Sequence, residues 1–190
     1  STLLPRWGGS IDKMQSFIEE STEHAKDLSS LNALLLLEEG DQLLFNKKTK
    51  QALKKYREAI KLGADSFIYH QTGIAQEALE QYVEAVKSYS SAVLLSPYGN
   101  RAYEGLVRTL LKQGSIIEAL SASVYLTGVN TQNAYYAASL GDLLYDIRRY
   151  EDALVNYEKA VTLNDKNGLF RHKVRKAEYQ ISVRKLQDEE

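Results

Sequence analysis

Apolar positions along this chain recur at helical spacing almost throughout. Leu36, Glu39, Gly40 and Leu43 keep offsets of 3, 4 and 7, which mark one face of an α-helix. The same offsets return at Tyr69, Thr72, Gly73 and Gln76, at Tyr103, Leu106, Val107 and Leu110, and at Ala137, Leu140, Gly141 and Leu144. Downstream of each set comes a second pattern, Ala-x-x-x-Tyr-x-x-Ala. It stands at Ala52, Tyr56 and Ala59, at Ala85, Tyr89 and Ala92, and at Ala153, Tyr157 and Ala160. The first two copies are 33 residues apart and the next visible copy lies 68 further on, twice 34. A degenerate copy keeps the period between them at Ala119, with Ser123 and Leu126 in place of Tyr and Ala.

Each unit therefore predicts two helices joined by a short turn. The A helices are expected over 33–46, 66–79, 100–113 and 134–147, and the B helices over 50–61, 83–95, 117–127 and 151–163. Gly63, the Ser96–Gly99 stretch, Gly128 and Asn164-Asp165 supply the stops and starts between units. Gly40, Gly73 and Gly141 are expected to face Ala52, Ala85 and Ala153, removing bulk where paired helices cross. No unit can bury its apolar face alone, so the stack is what folds.

Both ends read as caps. Segment 11–26 reads as a separate helix opened by Ser10 as N-cap, with Met14, Phe17, Ile18 and Ala25 at helical spacing. Extrapolated backwards, the period puts Ile18 and Ala25 at the signature positions of a B helix, so residues 1–30 read as an N-terminal segment and half-repeat cap. Residues 168–186 read as a solitary A helix, followed by an acidic tail to 190. There Val174, Ile181 and Leu186 alternate with Arg171, Lys173, Arg175, Lys176, Arg184 and Lys185, the charged outer face that a terminal repeat needs.

In this pattern the chain resembles the tetratricopeptide repeat family, a 34-residue helix–turn–helix with W-x2-L-G-x2-Y, A-x3-F and P. The fullest matches are Gly73, Ala85, Tyr89, Ala92 and Pro97, and then Leu140, Gly141, Ala153, Tyr157 and Ala160. The chain departs from the pattern in lacking Trp at the first signature position, in Glu39 and Thr72 where Leu is usual, and in Ser123 and Leu126. The resemblance implies an all-α, right-handed solenoid of about four repeats, with units 33–65, 66–99, 100–133 and 134–167 in one domain spanning 1–190. Pentatricopeptide solenoids, which bind RNA, prefer a longer period than the 33–34 seen here. The Leu4–Ser10 stretch fits no repeat, although its PRWGGS string is similar to one in an uncharacterised bacterial domain family with helical repeats. Trp7 is expected to plug the exposed end of the stack, since so large a ring is costly to leave in water.

Composition narrows the functional classes. With 24 Lys plus Arg against 25 Asp plus Glu, the 190 residues carry a net charge of −1, so no nucleic-acid or anionic-membrane partner is expected. The longest apolar run is Leu34–Leu37, far short of a membrane span. The cytoplasm is favoured, although a signal removed in maturation would leave no trace. The absence of Cys excludes disulfides and thiolate metal sites. His24, His70 and His172 lie in different units without ligand spacing, and no phosphate-binding glycine motif occurs, so no metal, cofactor or catalytic residue is expected. Glu38-Glu39 and the Glu77/Glu80 pair are expected to be solvated or turn-facing. Lys47, Lys48, Lys50, Lys54, Lys55 and Arg57 are expected to form a solvated outer face.

By the resemblance, the A helices line a concave groove, with inward residues at positions 2, 5, 9 and 12 of each unit. Unit one offers Leu34, Leu37, Asp41 and Leu44, and unit two Phe67, His70, Ile74 and Glu77. Unit three offers Arg101, Glu104, Arg108 and Leu111; unit four offers Tyr135, Ala138, Asp142 and Tyr145. The terminal helix adds His172, Lys176 and Tyr179. The candidates for gripping a partner's peptide or helix are Phe67, His70, Ile74, Arg101, Arg108, Tyr135, Asp142 and Tyr145, with an Asp142–Arg108 ion pair as the purely structural alternative. The basic clamp that part of the family uses on chaperone tails is not reproduced, since Leu37, Asp41, Gln71 and Gly105 occupy its positions and only Arg101 is compatible. The expectation is a non-enzymatic protein-interaction scaffold; the alternative is a self-assembling solenoid, a possible homodimer.

Overall fold

The computed structural model describes the backbone of residues 11–188 and the side chains of residues 19–188. Helices α1 (Ile11–Phe45), α2 (Thr49–Leu62), α3 (Ser66–Ala78), α4 (Tyr82–Leu95) and α5 (Asn100–Gln113) are followed by α6 (Ile116–Val129), α7 (Ala134–Asp146), α8 (Tyr150–Leu163) and α9 (Gly168–Asp188). Among the described residues there is no strand. Consecutive helices pack on each other all along the chain, and the A helices α1, α3 and α5 also touch their A neighbours. The result is the all-α repeat solenoid expected from the period.

One turn joins A to B in every unit. Lys47, Glu80, Gly114 and Arg148 occupy the same repeat position, with φ of 60°, 59°, 85° and 63°. Each left-handed residue lets the next amide fold back to a carbonyl five residues earlier. The bonds are Lys48 N–H to Leu43 O, Gln81 to Gln76, Ser115 to Leu110 and Arg149 to Leu144, at 2.8–2.9 Å. Between units, Asp65 caps α3 by accepting from the Ile68 amide at 2.7 Å. Asn133 caps α7 by accepting from Tyr135 and Tyr136.

The repeat glycines make room for tyrosine rings rather than chiefly for the alanines. Tyr56, Tyr89 and Tyr157 are almost fully buried. A Cβ on Gly73 would lie 2.8 Å from the Tyr89 ring, and Gly40 and Gly141 face Tyr56 and Tyr157 as closely. At Gly141 the Ala153 carbonyl also comes within 3.3 Å, so the expected glycine–alanine crossing is part of the same contact. Gly105, which stands outside the repeat signature, meets Tyr89 from the opposite side, so that ring is clamped between α3 and α5. In unit three, Val107 takes the glycine position and Ser123 the tyrosine position, while Tyr103 stacks on Tyr125 at 4.8 Å. The α6–α7 contact is the smallest between consecutive helices.

The ends differ from expectation at one side. Segment 11–26 is not a separate cap helix: α1 runs unbroken through it into the first A helix. No Gly or Pro lies between Ile11 and Ala33, so nothing in the sequence stops the helix. On this helix Leu28, Leu31, Leu34 and Leu35 are 53–62% exposed, so its outer face has no covering repeat among the described residues. The plug assigned to Leu4–Ser10 and Trp7 lies outside the described residues. At the other end, α9 buries Phe170 and Ala177 against unit four.

Gly105→Ala is expected to destabilise the fold by about 1–3 kcal/mol, because a clamped ring cannot move aside. Gly128 lies within α6, and the space its missing methyl group would fill has no other atom within 4 Å. Gly128→Ala should therefore be neutral or stabilising by up to about 1 kcal/mol. Urea denaturation of the two variants measures the difference; equal midpoints would refute the clamp.

Candidate functional site

The three signature tyrosines each reach across to a carboxylate on an A helix. The Tyr56 hydroxyl donates to Asp41 at 2.6 Å, Tyr89 to Glu77 at 3.2 Å, and Tyr157 to Asp142 at 2.9 Å. A donor from the next A helix meets the same carboxylate. Gln71 Nε2 donates to Asp41 at 2.6 Å, Lys173 pairs with Asp142, and Arg108 donates to Glu77 through Nε at 2.8 Å and Nη2 at 2.7 Å. Lys112 adds a third donor to Glu77 at 2.9 Å. These latches join unit to unit along the face that the A helices share.

They also overturn two expectations. Arg108 does not pair with Asp142: Glu77 on the preceding A helix takes its guanidinium, and Asp142 is held by Tyr157 and Lys173. Glu77 is not a solvated carboxylate, since its side chain is only 9% exposed. Arg108's hydrogen bonds, opposed by burial and reinforced by Lys112, hold its carboxyl down at about 2. Burial, together with the neighbouring carboxylates, pushes the Tyr56, Tyr89 and Tyr157 phenols above their ordinary range, so all three stay protonated donors.

The remaining candidates fall into three groups. Phe67 stacks on His70 at 6.3 Å, and His70 meets Tyr89 edge-on at 5.8 Å. Burial, with a smaller contribution from Arg101 and Arg108, lowers the His70 pKa, leaving a neutral ring. Arg101 is exposed on α5, and Ile74 is half-buried on α3. Tyr145 stands apart, against Tyr150 at 5.0 Å with the Lys176 ammonium 4.2 Å from its ring centroid. Arg108, Tyr135 and Asp142 come together around a cleft of about 450 Å³ between α5 and α7. Its walls are Val107 and Leu111 of α5, Leu126 of α6 and Leu143 of α7.

Sequence reasoning by groove position did not single out Val107, Leu126, Leu143, Tyr136, Ser139 or Asp146, all of which line this cleft. The signal was present in the joint loss of glycine and tyrosine at Val107 and Ser123. Tyr136 donates its hydroxyl to Glu104 across the same cleft, and burial, then that hydrogen bond, pushes its pKa up to about 12. On the B side, Lys55 pairs with Glu39 at 2.6 Å, while Lys47, Lys48, Lys50, Lys54 and Arg57 are exposed. Among the described residues no group of three or more His, Asp or Glu is placed to hold a metal ion, and no helix is long and apolar enough to cross a membrane.

Comparison with known proteins agrees with the repeat geometry. Small glutamine-rich tetratricopeptide repeat-containing protein 2 of Saccharomyces cerevisiae is 31% identical over 126 residues, 66% of this chain. The chain spans about a third, 34%, of that relative's length. A crystal structure of MamA superposes with a TM-score of 0.72 at 17% identity, covering 81% of this chain and 85% of MamA. YrrB, described as a TPR protein with an unusual peptide-binding site, gives 0.64 at 22% identity, covering 84% and 86%. No family model matches the sequence. The fold is a tetratricopeptide repeat solenoid. In sequence and in fold the chain is similar to tetratricopeptide repeat proteins.

Because the Glu77 carboxyl titrates lower in the folded chain than the ordinary value of about 4.3, its latch stabilises the fold above that pH and is lost as pH falls toward about 2. Glu77→Gln should cost about 1 kcal/mol at pH 7, a modest figure because Arg108 is half exposed. The gap to the unsubstituted chain should close between about pH 4 and pH 2. Urea titrations across that range check it, and a gap that does not change with pH would assign the loss to packing alone.

Proposed function

We propose that the chain is a non-enzymatic protein-interaction scaffold that binds a peptide or helix of a partner protein along the groove of its A helices. The observation that carries this reading is a row of apolar and aromatic side chains left in water on that face. Phe67, Leu111, Tyr135 and Tyr179 are each 40–66% exposed. Groups of this kind serve as anchors when a partner covers them. Arg101, exposed and without an ion pair among the described residues, supplies a cation for a partner carboxylate. Arg108, half exposed but engaged by Glu77, serves as a fixed edge of the groove, and Asp142 plays the same part beside it. His70, between Phe67 and Tyr89, is the aromatic link of this stretch, with Ile74 half-buried on the same helix. The peptide-binding site named for YrrB supports the same use of a similar fold.

A second reading, self-assembly, is favoured by the exposed leucine face of α1. It predicts a mass that falls on dilution and a monomer for Leu31→Glu with Leu35→Glu. Light scattering over a hundredfold dilution decides it, and a constant monomer mass in the unsubstituted chain would end it.

The groove reading is tested with partners captured by crosslinking and identified by mass spectrometry. Arg101→Glu and Tyr135→Ala are expected to weaken their binding by about tenfold or more with helicity intact. Lys50→Glu and Lys54→Glu on the B side should leave it nearly unchanged. The opposite result would move the site to the basic B-helix face.

A further inference from the structure

Unit three lacks the tyrosine that fills the space between neighbouring A helices elsewhere. Tyr89 lies between Gly73, at position 8 of its own unit, and Gly105, at position 6 of the next. The equivalent positions around Ser123 are Val107 and Ser139, and both line the cleft between α5 and α7. The cleft is therefore the tyrosine niche of unit three, narrowed by Val107 and Leu126 but still about 450 Å³ in volume. That is within the range of sites that accept small ligands. Like the filled niches, it has apolar walls and carboxylates nearby, here Glu104, Asp142 and Asp146.

The charges fix what kind of segment can enter. Asp142 is balanced by Lys173, while Glu77 is shared by Arg108 and Lys112, which leaves one positive charge there against the two free carboxylates of the mouth. Glu104 and Asp146 are exposed and make no ion pair among the described residues, so the mouth keeps a negative surplus. Resting on the groove reading above, we propose that this cleft is a subsite for a tyrosine side chain of the partner, carried on a segment with basic residues beside it. The ring takes the place of the missing internal tyrosine, and its hydroxyl donates to a carboxylate of the rim, as Tyr56, Tyr89 and Tyr157 do within the chain. The basic neighbours meet Glu104 and Asp146.

The test needs no identified partner. A blocked Arg-Tyr-Arg tripeptide is titrated into the isotope-labelled chain and followed by amide NMR, with Arg-Ala-Arg and Glu-Tyr-Glu as comparison probes. Saturable shifts are expected at Val107, Leu111, Ser139 and Asp146, with both comparison probes weaker by about tenfold or more. Ser139→Phe fills the cleft from an exposed position, so it leaves the fold alone; Val107→Gly with Ser123→Tyr fills it from within. Both should abolish the shifts. Absence of saturation, equal binding of Arg-Ala-Arg, or unchanged shifts in Ser139→Phe would overturn the proposal. If the tripeptide fails while Arg101→Glu and Tyr135→Ala still weaken partner binding, the groove reading stands and only the subsite falls. A tripeptide that saturates the cleft while partner binding ignores those two variants would sink the groove reading instead.

Discussion

A tyrosine ring set into the gap left by a glycine, with its hydroxyl fixed on a carboxylate, is the contact on which the whole stack depends. The ring supplies apolar area that no single helix pair can bury by itself. The hydroxyl satisfies itself on a group that the next unit also grips. Packing within a unit and registration between units are thus carried by the same side chain. This explains why the carboxylates of the groove face, Asp41, Glu77 and Asp142, are each already engaged.

That engagement also sorts the groove into fixed and available groups. Arg108 looks like a ligand-binding arginine from its position on α5, yet Glu77 makes it part of the scaffold. Arg101 makes no ion pair among the described residues and remains available. The aromatic residues divide in the same manner. Tyr89 and Tyr157 are internal struts, whereas Tyr135, resting edge-on against Phe170 at 5.5 Å, keeps most of its surface in water.

Much of the fold was legible because the period repeats both spacing and residue type. Ala52, Tyr56 and Ala59 recur with Gly40 upstream, and geometry leaves one way to stack such units. The continuous α1 was missed because extrapolating the period backwards imposes a break where the sequence has no breaker. The site was less legible. Groove positions could be counted, but whether Arg108 met Glu77 or Asp142 depended on which neighbouring unit lay within reach, and spacing along the chain does not encode that choice. Gly105 and the cleft escaped for a related reason: each arises from a side chain of one unit filling, or failing to fill, a space bounded by the next.

Ser123 has a consequence for the mechanics of the stack. In a one-dimensional array, cooperativity is only as strong as its weakest nearest-neighbour coupling. Between units three and four the B-helix tyrosine is missing, the Tyr136–Glu104 hydrogen bond spans the gap instead, and α6 meets α7 over the smallest contact in the series. By that rule the junction of units three and four, beside the cleft, is where coupling along the solenoid is expected to be weakest. A side chain seated between α5 and α7 would touch both units and so brace the joint that the chain itself couples least.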